Sequence, residues 1–387
     1  MRGRDRARIL IGTAAIFAVL LHGTALRADE PQPNADPNVI VEFDVAHGGD
    51  VILVPVEFGS QKYQFLVDTG CSICAIDRSL LGLVKEIKGQ GTGRDTQGAS
   101  IQTDYCYLPD GKIGPMEFSP EGPVAIVDLA GVEVICGYHI HGIVGLNYLV
   151  NRVVRFDFDN GKLAFLKSAN ASADCVVPIR IEDADFRIEC WIGGASRRFT
   201  IDTGMFGSDQ LSEALLPELL ESRVASKTRT STFRSLAGDY ELNVYRAGPI
   251  ALGKFVHPTL EFSTGRKDIL GLSYLSRFVV TIDGPAQRLY LKPGAKFNED
   301  ARRVRSGFFP TRQADITEVV EVYPDTPAAK AGLQAGDEFV SVNGRAASES
   351  TMFELSRVFS QPDTTIKLRV KRGDVEHDLT IVLPPAE

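Results

Sequence analysis

Asp68 and Asp202 stand in the same setting. FLVDTGCS, residues 65–72, and FTIDTGMF, residues 199–206, each run an apolar stretch straight into Asp-Thr-Gly. If the two turns meet, their carboxyls face each other. Closely apposed carboxyls cannot both ionise cheaply, so they share one proton and titrate as a pair. The ionised member can then take a proton from a water molecule while the protonated member donates to a carbonyl oxygen. That chemistry hydrolyses an amide without a metal, a cofactor or a nucleophilic side chain. Thr69 and Thr203 offer hydroxyls to knit the turns together. Gly70 and Gly204 let backbone amides approach the carboxylates.

The elements that must position these residues also occur twice. HGIVGLNYL (141–149) and KDILGLSYL (267–275) follow the two triplets, and each leads through an arginine into a strand, RVVRFDFDNGKLAFL (152–166) and RFVVTIDGPAQRLYL (277–291). The triplets are 134 positions apart and the glycines of the later motif, Gly145 and Gly271, 126 apart, so one unit of about 130 residues is repeated. Gly145 and Gly271, each behind an apolar pair, let a neighbouring strand pack under each turn. Upstream, residues 51–64 have a counterpart in 176–198.

Short β-branched and aromatic runs broken by glycine-bearing turns predict a mainly β protein. Strands are expected at 51–57, 62–68, 73–76, 100–107, 123–128, 132–137 and 152–158, with a helical turn near 81–86 and a helix over Ser212–Arg223 limited by Pro217. Two units follow, 39–170 and 174–297. Between each triplet and its later glycine motif lies a polar hairpin, with tips at Gln97-Gly98 and Ala237-Gly238. Such hairpins suit lids over a cleft, or plain surface loops.

The chain of 387 residues has a formal charge of −8, which becomes −12 when residues 1–28, with five arginines and one aspartate, are left out. So acidic a chain has no electrostatic footprint for nucleic acid. Residues 1–28 have the layout of a secretory signal peptide, Arg2, Arg4, Arg6 and Arg8 before the apolar run Ile9–Leu21 and then small residues. An exported, periplasmic or secreted protein is expected, an uncleaved membrane anchor being the alternative. Residues 29–38 read as a linker. Cys175 and Cys190 lie on strands separated by a turn, and their pairing is left open. Cys71 and Cys74 have CxxC spacing but fall inside the strand-turn, and are read as packing residues rather than redox or zinc ligands. His139 and His141 alternate on an expected strand with no third ligand nearby, so no metal is assigned.

The last segment, 304–387, changes character. SGFF (306–309), TPAAKAGLQAGDEFVSVNG (326–344), a helical stretch over Ser348–Phe359 and two closing strands resemble a PDZ domain of the kind fused to exported bacterial proteases. The likeness implies a groove that takes an extended peptide end by strand addition, with Gly307, Phe308 and Phe309 at its carboxylate-binding loop.

Residues 45–292 resemble aspartic proteases of the pepsin and retropepsin superfamily, most nearly bacterial retropepsin-like enzymes with a C-terminal PDZ domain. The resemblance implies two β lobes related by a pseudo-twofold axis, catalytic Asp68 and Asp202, threonines that brace the turns, and Ile143-Val144-Gly145 and Ile269-Leu270-Gly271 as supports. It implies endopeptidase action on extended polypeptides, an acid-side pH optimum, no cofactor, and one two-lobed chain rather than an obligate dimer. Cys71 and Met205 stand where the family usually has Ser, Thr or Ala, and His141 and Lys267 replace an aspartate before the glycine motif. The contrasting expectation is a peptide-binding scaffold with a degenerate cleft.

Overall fold

The apolar run before each Asp-Thr-Gly becomes a central strand, covered on both faces. In the computed structural model, which describes residues 36–46, 50–84, 86–169, 172–235, 238–299, 305–313 and 315–385, Phe65, Leu66 and Val67 are all buried. Their strand, Gln61–Val67, pairs in parallel with Gly142–Val144 and antiparallel with Leu53–Phe58. The sheet continues on one side through Ala75–Asp77, Val124–Val127, Ser100–Tyr107 and Glu86–Arg94, and on the other through Gly111–Ile113 and Met116–Phe118. The strand beside Gln61–Val67 shows the half-buried alternation: in Leu53–Phe58, Val54, Val56 and Phe58 are buried.

A second sheet repeats this order. Ala195–Ile201 pairs in parallel with Ile269–Leu270 and antiparallel with Asp185–Ile192. Beyond them lie Asp209–Ser212, Leu260–Gly265, Gly238–Ala247 and Ala225–Ser235 on one side, and Ile250–Leu252 and Phe255–His257 on the other. A six-stranded third sheet takes three strands from each repeat: Val39–Asp44, Lys162–Leu166 and Val153–Asp157, then Phe278–Asp283, Arg288–Pro293 and Cys175–Pro178. Val153–Asp157 and Phe278–Asp283 pair antiparallel at its middle, with Arg155 opposite Thr281. The expected units 39–170 and 174–297 are therefore joined by a shared sheet, and one apolar core runs from Ile52 to Leu291.

The C-terminal segment has its own sheet, Phe308–Gln313, Ile316–Val322, Glu338–Val342, Thr365–Arg372 and Val375–Val382, and its own core around Phe308, Val319, Phe339, Phe359 and Val370. The described helices are short: α1 (Ala130–Cys136), α2 (Leu146–Leu149), α3 (Leu216–Glu221), α4 (Leu272–Leu275), α5 (Pro327–Lys330) and α6 (Met352–Val358). Thr351 caps α6 in a reciprocal box with Glu354, at 3.1 and 2.9 Å. Among the described residues no helix is long and apolar enough to cross a membrane.

Three local expectations need correction. Residues 132–137 are not a strand but most of α1. Asp128 accepts the Ala130 amide at 3.0 Å, and Gly137, left-handed at φ 74°, closes the helix onto Glu133 O at 2.8 Å. These end bonds override the β preference of Val132, Val134 and Ile135. The expected helix Ser212–Arg223 shrinks to α3, because Asp209–Ser212 is needed as a sheet strand. His139 and His141 lie in coil rather than on a strand, with their rings 4.2 Å apart and His139 Nδ1 2.8 Å from Glu133. Ala237, the expected signal peptide 1–28 and all of 29–38 before Asp36 fall outside the described residues.

Candidate active site

Each Asp-Thr-Gly turn leaves its strand end held by the glycine motif of its own repeat. The Asp68 amide donates to Val144 O at 3.0 Å and the Asp202 amide to Leu270 O at 3.1 Å. In return Leu146 N donates to Cys71 O at 2.7 Å, and Leu272 N to Met205 O at 2.8 Å. The backbone approach is so close that a Cβ on Gly145 would strike Ile73 and Cys71, and one on Gly271 would strike Met205 O. That is why the motif needs glycine at both places.

The two turns then lock to each other. Thr69 Oγ1 accepts the Thr203 amide at 3.0 Å and donates to Ile201 O at 2.8 Å. Thr203 Oγ1 accepts the Thr69 amide at 3.1 Å and donates to Val67 O at 2.8 Å. Both threonines are buried, 2% and 1% exposed, so each bond satisfies a group that has no water to turn to. Residues 134 positions apart in sequence thus meet.

This lock sets the carboxyls face to face. Asp68 and Asp202 hydrogen-bond to each other through their side chains. A Cβ on Gly70 would collide with the carboxyl of Asp202, and one on Gly204 with that of Asp68. Asp68 Oδ1 accepts the amides of Gly70 (2.8 Å) and Cys71 (3.0 Å); Asp202 Oδ1 accepts that of Gly204 (2.9 Å). Burial raises the Asp68 carboxyl above its ordinary value, with the Gly70 amide and the Asp202 hydrogen bond pulling back. Burial pushes Asp202 well above the carboxylate range, and the charge of Asp68 pushes it the same way. The pair therefore keeps a proton where free carboxyls would have lost theirs. Asp202 is 6% exposed, whereas Asp68 is half-buried.

The residues that follow the triplets and precede the glycine motifs have partners or burial of their own. Met205 is 4% exposed, and the Cys71 thiol donates to Ile73 O at 3.0 Å. Lys267 Nζ bonds the buried Asp185 at 2.6 Å, and His141 Nδ1 accepts the Gln64 amide at 3.3 Å. All six cysteines are free thiols, Cys175 and Cys190 included.

Of the expected lids, the first hairpin reaches across to the second sheet. Its turn is shaped by Asp95, whose carboxylate accepts the Gln97 and Ala99 amides at 3.1 and 2.7 Å. Gln97 Nε2 donates to Gln210 Oε1 at 3.0 Å and to Thr264 O at 3.3 Å, and Gly98 packs on the stem of Arg266. Tyr240, on the second hairpin, donates to Asp95 at 2.9 Å. Gly238 begins the returning strand of that second hairpin. Gln210, fully buried on Asp209–Ser212, escaped the sequence reading, as did the pair beneath the glycine motifs: Gly145 N donates to Cys74 Sγ at 3.2 Å and Gly271 N to Asp209 Oδ1 at 2.8 Å. The signal was faint, since Cys74 follows its aspartate by six residues and Asp209 by seven.

In the C-terminal segment, Gly307 is left-handed at φ 80°, and its carbonyl accepts Tyr323 N at 2.9 Å and Thr326 Oγ1 at 3.2 Å. Phe308 is a core residue against Phe359, ring centroids 4.9 Å apart, and Phe309 is half-buried.

Residues 301–383 match the family model of the PDZ domain. The PDZ region is also 38% identical over 69 residues to serine protease HTRA1 of Xenopus tropicalis and 36% identical over 69 residues to serine protease HTRA1 of Xenopus laevis. Each match takes in 18% of this chain and 14% of the relative, so the chain spans only a small part of the length of the curated relatives it matches. The protein is a mainly β chain with a C-terminal PDZ domain.

Proposed function

We propose that the chain is an exported aspartic endopeptidase of the retropepsin type, two β lobes about a pseudo-twofold axis, with Asp68 and Asp202 as its catalytic dyad. The observation that carries this reading is the mutual hydrogen bond of the two carboxyls, held by reciprocal threonine bonds from equivalent turns. The repeated strand order and the shared central sheet support the pseudo-twofold arrangement. One chain supplies both aspartates, which favours a monomer as the active unit.

The asymmetry of the pair suggests its division of labour. Asp202, 6% exposed, holds the shared proton; Asp68, half-buried and with two amides on its oxygen, is the base. Asp68 takes a proton from a water molecule as the water oxygen attacks the substrate carbonyl, and Asp202 gives its proton to the carbonyl oxygen. When the tetrahedral diol collapses, Asp68 passes its proton to the leaving amine and Asp202 recovers one from a diol hydroxyl. Both carboxyls return to their starting state. The hairpin tipped by Gln97 and Gly98 is the lid over an extended substrate. Activity declines as rising pH strips the shared proton, which agrees with an acid-side optimum.

The PDZ domain supplies a second contact for polypeptide, an exposed end or segment near the cleft. The HTRA1 relatives are named as serine proteases, but the likeness lies in the PDZ region and bears on domain partnership rather than on the hydrolytic group. Denatured casein incubated with the protein across pH 3 to 8 tests the reading. Cleavage that vanishes in both Asp68→Asn and Asp202→Asn supports it; cleavage unchanged in either variant removes that aspartate from the mechanism.

A further inference from the structure

The groove of the PDZ domain has a closed end, and the closing element comes from the N-terminal repeat. Phe308–Gln313 is an edge strand of the C-terminal sheet, paired among the described residues with Ile316–Val322. Helix α6 runs beside it in the opposite direction. Phe359, at the end of α6, packs on Phe308, while Arg312 donates to Ser350 O and Ala347 O just before α6 begins. The groove between strand and helix therefore runs from Gly307 and Phe359 at one end to Arg312 and Met352 at the other.

Helix α1 packs against both the edge strand and α6 at this second end. A Cβ built on Gly137, directly after α1, would lie 3.3 Å from Arg312 Cδ and 3.4 Å from Met352 Cγ. The next residue, Tyr138, donates its hydroxyl to Asp50 at 3.1 Å, which ties the C-terminal end of α1 to the start of its own repeat. Phe309, Pro310 and Thr311 are only half-buried, on an edge strand to which, among the described residues, no further strand is added. A peptide that adds antiparallel to this strand, with its carboxylate at the Gly307 end, runs its upstream residues toward Arg312. At about 3.3 Å per residue, the last three or four residues fit beside the strand before the chain meets α1.

We infer that α1 is an internal gate on the PDZ groove: a short C-terminus enters beside it, and a longer extended peptide binds only by displacing it. The ligand class is an extended peptide with a free terminal carboxylate. Displacement has a consequence for the rest of the molecule. Helix α1 also packs against Ala225–Ser235 of the second hairpin, and Leu129 and Cys136 share an apolar cluster with Cys71, Ile73 and Phe206 from the two Asp-Thr-Gly loops. A groove occupied by the longer peptide thus loosens the packing beneath the dyad. The gate rests on the peptide-binding reading of the PDZ domain and not on the dyad.

Two fluorescent probes test it on the full chain, a tripeptide and a decapeptide with the same last three residues, Tyr-Val-Val, and a free carboxylate. The Tyr138→Phe variant loses the hydroxyl bond to Asp50 that helps hold α1 in place; its decapeptide affinity should rise about fivefold and its tripeptide affinity stay unchanged. In hydrogen exchange of the unsubstituted protein, amides of 308–312 should gain protection with either probe, while those of 133–137 lose it with the decapeptide alone. Protection gained at 308–312 with 133–137 still protected under the decapeptide overturns the gate. So does equal affinity of the substituted and unsubstituted proteins for the decapeptide. Failure of both probes to bind either protein removes the peptide-binding reading and the gate together, and leaves the casein test of the dyad untouched.

Discussion

The first and second Asp-Thr-Gly turns follow the same path, make the same cross-bonds and rest on the same glycine motif, yet they do not offer the same environment. Asp68 is half-buried and accepts two amides; Asp202 is 6% exposed and accepts the Gly204 amide. Beneath them the difference is chemical. The Gly145 amide rests on the Cys74 thiol, which burial pushes up to about 12, so it is neutral throughout the useful pH range. The Gly271 amide rests on the carboxyl of Asp209, which burial raises to about 7. A repeated backbone can thus hold two carboxyls in matching positions while the side chains around it give them different surroundings.

That comparison can be broken most sharply at the dyad. Asp68→Asn and Asp202→Asn should each lower kcat/KM for casein peptides by about a thousandfold or more, as removal of a general acid or base does. A variant at one position that keeps a tenth of the activity would show that only one turn is catalytic.

Asp209 separates the two supports by pH. Its folded value of about 7 lies above the ordinary 3.8, so the folded state holds a proton that the unfolded chain has released. Stability contributed there is present at low pH and is lost as pH rises from about 4 to about 7. The Asp209→Asn variant should lack this loss, which amounts to about 4 kcal/mol at most over the window. Urea unfolding of both proteins at pH 4, 5.5 and 7 checks it; parallel curves would sink the assignment.

The cross-bonds should prove equal. Thr69→Val strands the Thr203 amide and Ile201 O, and Thr203→Val strands the Thr69 amide and Val67 O, so each should cost about 2–3 kcal/mol in unfolding free energy. A difference between them larger than their measurement error would mean that the lock is not reciprocal. The smallest effect is expected at Cys74→Ala, about 1 kcal/mol and independent of pH between 4 and 7, because a neutral thiol is a weak acceptor.

Much of this was legible in the chain. The doubled triplet and doubled glycine motif located the four turn-forming segments, and the punctuation of TPAAKAGLQAGDEFVSVNG located the C-terminal domain. The misreadings came where local preference and tertiary need disagreed. Residues 132–137 look like a strand by composition, but the Asp128 bond to the Ala130 amide and the left-handed C-cap Gly137 frame a helix there. Ser212 looks like a helix start, but the second sheet takes Asp209–Ser212 as a strand.

The sequence by itself determined which residues repeat, and therefore which two aspartates end equivalent strands, because a strand-turn pattern is written in local hydrophobicity and glycine. It did not contain the environments of those aspartates. Gln97 reaching Gln210, Asp209 under Gly271, and α1 against the groove of the PDZ domain are contacts between segments far apart in the chain. Their energies depend on burial and on distance through the folded molecule, and both exist only once the sheets have closed on one another.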